Sequence, residues 1–480
     1  MSDKKPFYIT TAIVYANAAP HIGHAFEAVT ADTHARYRKT LGEDVHFVTG
    51  MDEHGQKVES KAKELNIPVQ NFVDENAGHL VKLDKELSVD YDFFVRTSDK
   101  EKHYIGAQLL WKKLDEAGAI EKRSYTSLYC VGCEEFKTEK DLNEKGECPL
   151  HLKKPEVVEE ENYFFKLSTY TQEIKDKISS DELKIYPESR KNEILALLDR
   201  GLEDVSFSRP KSKVSWGIPV PGDETQVMYV WCDALANYIT ALGYGYDSFD
   251  EDMWSNATHL IGKDILRFHA AIWPGMLLAA GLSLPKRILV HGFITSGGQK
   301  MSKSLGNVID PQELLTLFKE PAGELAGEAL RFILLHEIPS FEDGDMTMET
   351  IKTSYSSHLA NGIGNLTSRI MKMAITNNVK IDSVATVTLK QYFDVFDTNK
   401  ALKGLMTILG TIDKKITDTE PFKLVKTDPE AAAKIIESLL SELRAVAEVL
   451  GVFMPQTSVK ILECIRENKM PEKPLFARLP

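Results

Sequence analysis

The sequence of 480 residues contains no uninterrupted apolar run of the roughly 18 residues that a membrane-spanning helix needs, so we expect no membrane segment. The opening residues, MSDKKPFYITTA, have neither an apolar signal core nor an Arg-rich transit pattern, which favours a cytoplasmic location. Only five cysteines are present, and three of them cluster between residues 130 and 148, unlike the disulfide framework of a secreted protein. With 43% hydrophobic and 27% charged residues, the composition is that of a globular protein of several domains.

Positive charge is scarce overall: the formal net charge of −13 argues against a protein that coats nucleic acid indiscriminately. The distribution is uneven, however, because residues 351–480 are net basic and residues 351–381 contain no acidic residue. The cations of that acid-free segment are Lys352, Arg369, Lys372 and Lys380. A basic end on an acidic body favours selective contact with nucleic acid, although an ordinary solvated face has the same pattern.

The order of apolar patterns predicts an α/β fold. Residues 7–14 (FYITTAIV) predict a buried strand, and apolar side chains spaced three or four apart from Ile22 to Leu41 predict a helix. Residues 45–50 predict the next strand, which completes a βαβ unit and implies a ligand site at the carboxyl ends of parallel strands. Residues 118–225 differ in character and predict an insertion, the α/β pattern then resumes, and residues beyond 350 predict helices only.

Two short motifs are candidates for binding a polyphosphate. PHIGH, at residues 20–24, lies at the predicted start of a helix, where negative charge is favoured and two imidazoles can contact one phosphate group. KMSKS, at residues 300–304, follows Gly297-Gly298, and two lysines beside a glycine hinge can close over a leaving pyrophosphate. Considered singly, each motif is more often incidental: two chance histidines, or a solvated surface loop.

A third motif predicts a metal site. Cys130, Cys133, Cys148 and His151 are spaced as CxxC and CxxH, separated by fourteen residues. Four sulfur and nitrogen ligands in two close pairs suit tetrahedral Zn²⁺, and a full set of protein ligands leaves no open position for catalysis. We therefore expect one structural Zn²⁺ per chain.

Together, the two phosphate motifs match the HIGH and KMSKS signatures of class I aminoacyl-tRNA synthetases, which the chain resembles. GMDEHGQKV, YVWCDALANY, LIGKDILRFHAAIWP and HGFITSGGQKMSKSLGN are similar to signature stretches of the methionyl-tRNA synthetase family, strongly over residues 5–370 and more loosely beyond. The resemblance implies a Rossmann-like parallel-sheet catalytic domain, an inserted zinc-binding connective domain and a C-terminal all-α helical bundle. It also implies ATP-dependent activation of L-methionine to methionyl-adenylate and transfer of the methionyl group to the 3′ end of tRNA(Met).

The resemblance further implies a domain order. The expected segments are 1–117 and 226–295 for the two catalytic halves, 118–225 for the connective domain with its zinc knuckle, 296–350 for the KMSKS loop and stem-contact region, and 351–480 for the helical anticodon-binding domain. Because the sequence carries no appended oligomerisation domain of the kind that some relatives have, we expect a monomer.

Site residues follow from the same resemblance. Asp52 is expected to bind the α-ammonium of methionine, and the side chain is expected to be lined by Ile13, Tyr15, Trp231, Leu235, Tyr238, Ile265 and His269. Leu235 replaces a proline of some members and Ile13 a frequent leucine, and both keep an apolar wall. Without the resemblance, the aromatic residues at helical spacing would be interpreted as ordinary core.

ATP and tRNA are the other implied partners, with Mg²⁺ accompanying ATP. The residues expected at ATP are His21, Gly23, His24, Glu27, Gly262, Asp264, Lys300 and Lys303, of which His21, His24, Lys300 and Lys303 act in catalysis. The residues expected at the anticodon are Asn361, Asn365, Arg369 and Phe422. Phe422 stands where the family commonly has a tryptophan, so it offers a smaller stacking face.

Two alternatives remain open. The leucine, isoleucine and valine enzymes of the class carry a much larger editing insertion than residues 118–225, and the cysteine enzyme holds its zinc in the amino-acid pocket. A non-catalytic tRNA-binding or nucleotidyl-transfer protein on the same fold is disfavoured by the intact HIGH and KMSKS motifs.

Overall fold

The computed structural model describes residues 4–133, 135–137, 139–301, 307–381 and 385–479. The chain divides into two compact units that alternate along the sequence. Unit 1 comprises the chain up to Pro20, Glu43–Lys82 and Tyr91–Val290, and unit 2 comprises His21–Gly42, Leu83–Asp90 and the chain from His291. No helix within the described ranges is both long and apolar enough to cross a bilayer.

Strands and helices are numbered in chain order. The strands are β1 (Pro6–Thr11), β2 (Val14–Tyr15), β3 (Asp44–Asp52), β4 (Phe93–Arg96), β5 (Ile120–Cys130), β6 (Glu135–Lys137), β7 (Glu156–Phe165), β8 (Lys184–Tyr186), β9 (Val205–Ser206), β10 (Ser208–Pro210), β11 (Pro219–Val220), β12 (Asp223–Met228), β13 (Ala257–Gly262), β14 (Arg287–His291), β15 (Ile294–Ser296), β16 (Gln299–Lys300) and β17 (Gly344–Asp345). The helices are α1 (Ile22–Thr40), α2 (Gln56–Glu64), α3 (Val69–Glu86), α4 (Tyr104–Glu116), α5 (Thr171–Ser179), α6 (Glu188–Asp199), α7 (Val230–Thr240), α8 (Glu251–Ser255), α9 (Trp273–Ala279), α10 (Pro311–Ala322), α11 (Ala326–Glu337), α12 (Met348–Ser354), α13 (Asn365–Thr376), α14 (Lys390–Phe393), α15 (Thr398–Thr419), α16 (Pro421–Leu424), α17 (Pro429–Leu450) and α18 (Pro455–Glu467).

A parallel sheet forms the centre of unit 1 and confirms the predicted Rossmann-like fold. Its hydrogen-bonded strands follow the order β4-β3-β1-β13-β14-β8, and β2 also pairs with the end of β3. β1 is parallel to β3 on one side and to β13 on the other, and it is buried from Phe7 onward. Such strands carry near-continuous apolar runs because helices cover both faces, which is why residues 7–11 have no polar alternation.

The predicted strand over residues 7–14 is divided in two in the structure. β1 ends at Thr11, and after two residues β2 pairs with the far end of β3, placing Tyr15 opposite Asp52. Val48 pairs with both Thr10 and Phe93, and Met51 pairs with both Val14 and Arg96, so β1 and β2 lie on the same side of β3 and β4 lies on the other. The register shifts by one residue between Thr10 and Val14, which interrupts the strand. The continuous apolar pattern cannot indicate this interruption.

The insertion predicted from residue 118 contains antiparallel strands. β5 pairs with β6 and along its length with β7, and β7 pairs with β9. A separate sheet of β10, β12 and β11 precedes α7. The tight connections around β5 and β6 bring the cysteine motif together.

Unit 2 combines α1 with the helices from α10 onward around one apolar core. On α1 the predicted stripe is buried at Ile22, Phe26 and Val29, whereas its last predicted member, Leu41, is exposed and caps the helix. Arg331 of α11 is fully buried against Asp32 of α1, with 2.6 Å between Nη2 and Oδ2. Its guanidinium also donates to two backbone carbonyls at 2.8 and 3.0 Å, so the buried charge is paired and hydrogen-bonded.

A tight hairpin precedes the KMSKS motif in unit 2. β15 and β16 are joined by Gly297 and Gly298, whose φ angles are +63° and +72°. Positive φ at both central residues is the requirement of a type I′ turn, which explains two consecutive glycines. The Asp345 carboxylate accepts from the Gly298 N–H and the Thr295 hydroxyl, each at 2.8 Å, and fixes the turn.

Candidate active site

An aromatic wall in unit 1 is built from α7 and the segment after β13. Trp231 and Tyr238 lie two turns apart on α7, with the buried Leu235 between them. Trp231 stacks on Phe268 with ring centroids 3.7 Å apart and meets His269 edge-on. Residues 268–272 form a short π-helix, a distortion that frequently marks functional sites.

Hydrogen bonds fix the protonation of this wall. His269 Nδ1 lies 3.0 Å from the Ile265 carbonyl, which can only accept, so Nδ1 carries the proton. Nε2 therefore accepts from the Tyr238 hydroxyl at 2.7 Å. Burial lowers the pKa of His269 to about 4, which keeps the imidazole neutral at physiological pH. The Tyr238 hydroxyl thus donates its proton to His269, so its oxygen can act towards a ligand only as an acceptor.

Asp52 and Tyr15 are neighbours at the carboxyl ends of β3 and β2. The strand register places them side by side, and the Ala16 N–H donates to the Asp52 carbonyl at 2.8 Å. Asp52 is buried, and the Lys57 ammonium lies 5.6 Å from the Tyr15 ring centroid. Ile13 is half-buried in the two-residue link between β1 and β2. A carboxylate held in such surroundings is suited to bind an ammonium group.

Gly262 and Asp264 lie where β13 ends. Gly262 is the last residue of the strand, and Asp264 belongs to a short 3₁₀ helix over Lys263–Ile265. The Asp264 side chain is exposed. This is the carboxyl edge of the parallel sheet, where open α/β sheets bind their ligands.

The HIGH histidines form a stacked pair at the start of α1 in unit 2. His21 caps the helix: its Nδ1 accepts from the Gly23 N–H at 3.1 Å, and His24 Nδ1 accepts from the His21 N–H at 3.2 Å. Because both Nδ1 atoms accept, each neutral ring carries its proton on Nε2 and can donate there to an oxyanion. Burial, and then the imidazoles of His21 and His291, lower the pKa of His24. The rings lie 3.7 Å apart, and a Cβ on Gly23 would press on the His21 ring at 3.0 Å.

Glu27 accompanies a histidine that the sequence reasoning missed. His291 Nε2 lies 3.0 Å from the Glu27 carboxylate, and its Nδ1 lies 2.8 Å from the Gly292 carbonyl. His291 belongs to the HGFITSGGQKMSKS stretch, which was the available signal. Of the KMSKS lysines, Lys300 is the last residue of β16 and is the strand partner of Thr295 in β15. Lys303 lies outside the described residues.

The predicted metal ligands converge. Cys130, Cys133, Cys148 and His151 offer atoms that could hold a metal ion. His151 Nδ1 lies 3.9, 3.4 and 3.6 Å from the three sulfurs in chain order, and the sulfurs of Cys133 and Cys148 are 3.5 Å apart. Tetrahedral bonds of about 2.0–2.3 Å require ligand separations of about 3.3–3.8 Å, so the donor set fits an ion. A Cβ on Gly132 would overlap the His151 ring, so glycine is required there.

The predicted anticodon residues lie on unit 2. Asn361 falls in a π-helical segment, Tyr355–Gly364, which continues into α13, and both Asn361 and Asn365 are exposed. Arg369 is partly exposed and forms an ion pair with Asp413 of α15. Phe422 is 50% exposed in α16, an unusual position for a large aromatic side chain.

A second pair was missed by the sequence reasoning, although both members belong to quoted signature stretches. His54 of GMDEHGQKV and Asp233 of YVWCDALANY are fully buried, with 3.0 Å between Nδ1 and Oδ2. Burial lowers the pKa of His54 to about 4 and raises the pKa of Asp233 well above its ordinary value. The pair is therefore most stable with both groups uncharged, and Tyr104 completes it with its hydroxyl 3.1 Å from Nε2.

Comparisons with known proteins agree on one family. A family model described as class I tRNA synthetases (M) matches residues 7–154 and 144–371. A methionine–tRNA ligase of Rhizobium meliloti is 37% identical over 487 residues, covering 97% of this chain and 92% of that protein. A methionine–tRNA ligase of Clostridium perfringens is 41% identical over 480 residues, covering 95% of this chain and 73% of that protein.

Solved structures give the same result. A Mycobacterium tuberculosis methionyl-tRNA synthetase in complex with methionyl-adenylate is similar to this chain with a TM-score of 0.89 and 34% identity. The similarity covers 99% of this chain and 97% of that one. The free-state structure from the same organism is similar with a TM-score of 0.81 and 31% identity.

The buried neutral imidazole of His269 predicts a specific dependence of stability on pH. Between pH 6.5 and 4 the unfolded chain protonates this histidine and the folded chain does not, so the free energy of unfolding falls as pH falls. The His269→Gln variant should lose up to about 1.4 kcal/mol per pH unit of that slope. Denaturant titrations followed by tryptophan fluorescence, with the exposed His79→Gln as the matched control, check this. Equal slopes for wild type and His269→Gln would contradict the assignment.

Proposed function

This chain belongs to the methionyl-tRNA synthetase family of class I aminoacyl-tRNA synthetases, and from that membership we propose which residues carry each step of its reaction. The enzyme activates L-methionine with ATP to methionyl-adenylate and transfers the methionyl group to tRNA. The observation that carries the residue assignment is the hydrogen-bonded chain from the Ile265 carbonyl through His269 to Tyr238, flanked by Trp231.

The methionine side chain is proposed to lie against this aromatic wall. Methionine is long, flexible and apolar, and its thioether is a weak acceptor that favours aromatic neighbours. Trp231 supplies a ring face, Leu235 and Ile265 supply aliphatic surface, and Tyr238 and His269 supply polar atoms without charge. Ile13 and Tyr15 complete the lining, and the buried carboxylate of Asp52 binds the α-ammonium.

Two sets of residues are proposed to bind ATP. In unit 2 the paired Nε2–H donors of His21 and His24, together with the start of α1, bind phosphate oxygens, and Gly23 allows close approach. Glu27 orients this end of the helix through His291. In unit 1 Gly262 and Asp264 contribute from the end of β13. Lys300 and Lys303 are proposed to bear charge on the leaving pyrophosphate, and Mg²⁺ bound with ATP supplies further neutralisation of that charge.

The chemistry requires placement and charge stabilisation and no covalent nucleophile. The methionine carboxylate attacks the α-phosphorus of ATP, an oxygen–phosphorus bond forms, and pyrophosphate leaves with the electron pair of the broken bond. Neutral donors at His21 and His24 are suited to the charge that develops on the phosphate oxygens. A terminal ribose hydroxyl of tRNA then attacks the carbonyl carbon of the adenylate and releases AMP.

The metal bound by Cys130, Cys133, Cys148 and His151 is proposed to be one structural Zn²⁺. Three sulfurs and one imidazole nitrogen at tetrahedral separations select zinc over hard cations such as Mg²⁺. The ion would fasten the turn after β5 to the loop that carries Cys148 and His151. No residue of this set is proposed to take part in catalysis.

The helical part of unit 2 is proposed to recognise the CAU anticodon. Asn361, Asn365 and Arg369 recur every four residues and offer amide and guanidinium groups that can hydrogen-bond unstacked bases. Phe422 offers an exposed ring on which a base can stack. The corresponding domain assignment is 1–117 and 226–295 for catalysis, 118–225 for the connective insertion, 296–350 for the KMSKS and stem-contact region, and 351–480 for the anticodon.

ATP–pyrophosphate exchange tests the catalytic assignment. Wild type should exchange with methionine far faster than with any of the other nineteen amino acids. His24→Ala should slow exchange by about 100-fold or more with little change in methionine affinity, because His24 acts on charge that develops in the transition state. The exposed His79→Ala is the matched control. An equal loss of methionine affinity and rate in His24→Ala would assign this histidine to the fold instead.

Metal analysis tests the zinc assignment. Purified protein should contain one tightly bound Zn²⁺ per chain, and Cys148→Ala should bind well below one equivalent and lose order in the knuckle, since folding there is coupled to the metal. Cys464→Ala, which changes a buried cysteine outside the motif, is the matched control. A Cys148→Ala protein with full zinc content would overturn the ligand set.

Aminoacylation tests the anticodon assignment. A base–aromatic stack contributes about 1–3 kcal/mol, so Phe422→Ala should lower kcat/KM for tRNA(Met) by about ten- to a hundred-fold. Pyrophosphate exchange, which needs no tRNA, should be unchanged, and Val459→Ala supplies an exposed apolar control in the same unit. Wild type, Arg369→Ala and Phe422→Ala should differ on tRNAs that vary only in the anticodon. If all three discriminate equally, the helical face is an ordinary solvated surface.

A further inference from the structure

A second cluster of metal-ligating side chains lies in unit 2, away from the motifs used above. Among the described residues, His336, Glu337 and His358 each offer a ligand atom, and these atoms lie within 4.8 Å of one another. His336 and Glu337 are at the end of α11, and His358 belongs to the π-helical segment Tyr355–Gly364. We propose that these three residues form a second divalent-metal site, selective for Zn²⁺ and independent of the cysteine knuckle.

The donor set fits zinc. Two imidazole nitrogens and one carboxylate oxygen are all zinc ligands, and three protein ligands leave the fourth tetrahedral position to water. His336 Nδ1 is 2.8 Å from Glu337 Oε1, whereas bonds of about 2.0–2.1 Å to one ion require donors about 3.3 Å apart. The 2.8 Å contact has to open by only about half an ångström, a change that side-chain torsions supply without backbone movement.

The surroundings orient two of the three ligands. The Ser354 hydroxyl donates to Glu337 Oε1 at 2.6 Å, the kind of supporting contact that fixes a ligating carboxylate. Phe332 stacks on the His336 ring with centroids 5.1 Å apart. The Asn399 amide donates to the His336 carbonyl at 2.7 Å and holds the end of α11 in place.

Access and charge are also compatible with an ion. His336 is buried, whereas Glu337 and His358 are half-buried, so an ion can enter from solvent. The two imidazole rings have centroids 4.3 Å apart and are inclined by 44°, and each offers a ligand atom within 4.8 Å of the others. Lys403 of α15 opposes the binding of a cation at this site. It is exposed, and burial, the His336 imidazole and this positive charge lower the pKa of His358. An ion therefore competes with Lys403, and removal of that charge should strengthen binding.

Zn²⁺ binding to the intact protein tests the site. With the knuckle filled, titration against a chromogenic chelator should reveal a second equivalent in wild type, and added Zn²⁺ should raise the Tm because the ion joins α11 to the π-helical segment. His358→Ala should lose the second equivalent and the Tm increase while it keeps the first. Glu337→Gln should bind about 10–100-fold more weakly, and Lys403→Ala should bind more tightly.

His79→Ala, which removes an exposed histidine of unit 1, is the matched control and should keep both equivalents. His358 is half-buried, so its alanine variant is expected to fold, and a Tm equal to that of wild type without added Zn²⁺ checks this. A wild-type protein that binds a single equivalent, or a His358→Ala protein that keeps two, would overturn the proposal. Loss of the second equivalent of Zn²⁺ in His79→Ala would also contradict the proposal, because it would show that this equivalent binds nonspecifically to surface histidines.

Discussion

Parallel pairing of β1 with β3 and β13 is the constraint on which the arrangement of unit 1 depends. All three strands run the same way, so Thr11, Asp52 and Gly262 end at one edge of the sheet. Each connection that leaves this edge carries a candidate residue. The short link from β1 to β2 leads to Tyr15 beside Asp52, and the turn after β13 leads to the segment that holds His269. The candidate residues thus lie at the ends of these strands and in the connections that follow them.

Backbone carbonyls and amides determine the protonation of the site histidines. The Ile265 carbonyl holds the proton of His269 on Nδ1, and backbone N–H groups at the start of α1 hold the protons of His21 and His24 on Nε2. Burial lowers the pKa of His269 and of His24, which favours these neutral tautomers at physiological pH. His269 therefore accepts a hydrogen bond from Tyr238 inside an apolar wall. His21 and His24 instead carry their protons on Nε2 and can donate them to a ligand.

Local patterns in the sequence were sufficient to predict the fold class and the family, and their failures have physical causes. The apolar run at residues 7–14 predicted one strand, but hydrophobicity does not encode the extra residue that interrupts pairing with β3 between Thr10 and Val14. The π-helical segments that carry His269 and Asn361 also escaped prediction, because one inserted residue hardly alters helical periodicity. Helix α1, with continuous spacing and a clear N-terminus, was predicted to within a few residues.

Long-range pairs are the other class that a single sequence hides. His291 and Glu27 are 264 residues apart, and His54 and Asp233 are 179 apart, yet each pair lies within 3.0 Å. Every member was present in a recognisable stretch, but nothing local indicates that one side chain completes another. These contacts follow from packing, so the sequence predicts the separate components of such a pair and only the fold predicts their contact.

In the proposed recognition of the anticodon, the ion pair between Arg369 and Asp413 would contribute selectivity. Both side chains are partly exposed, and such pairs contribute only about 0–1 kcal/mol, so a ligand can replace Asp413 at little cost. A phosphate that approaches Arg369 meets the like charge of Asp413, whereas a neutral base edge does not. The carboxylate therefore disfavours backbone contacts more than base contacts, and specificity can arise from what the site repels as well as from what it binds.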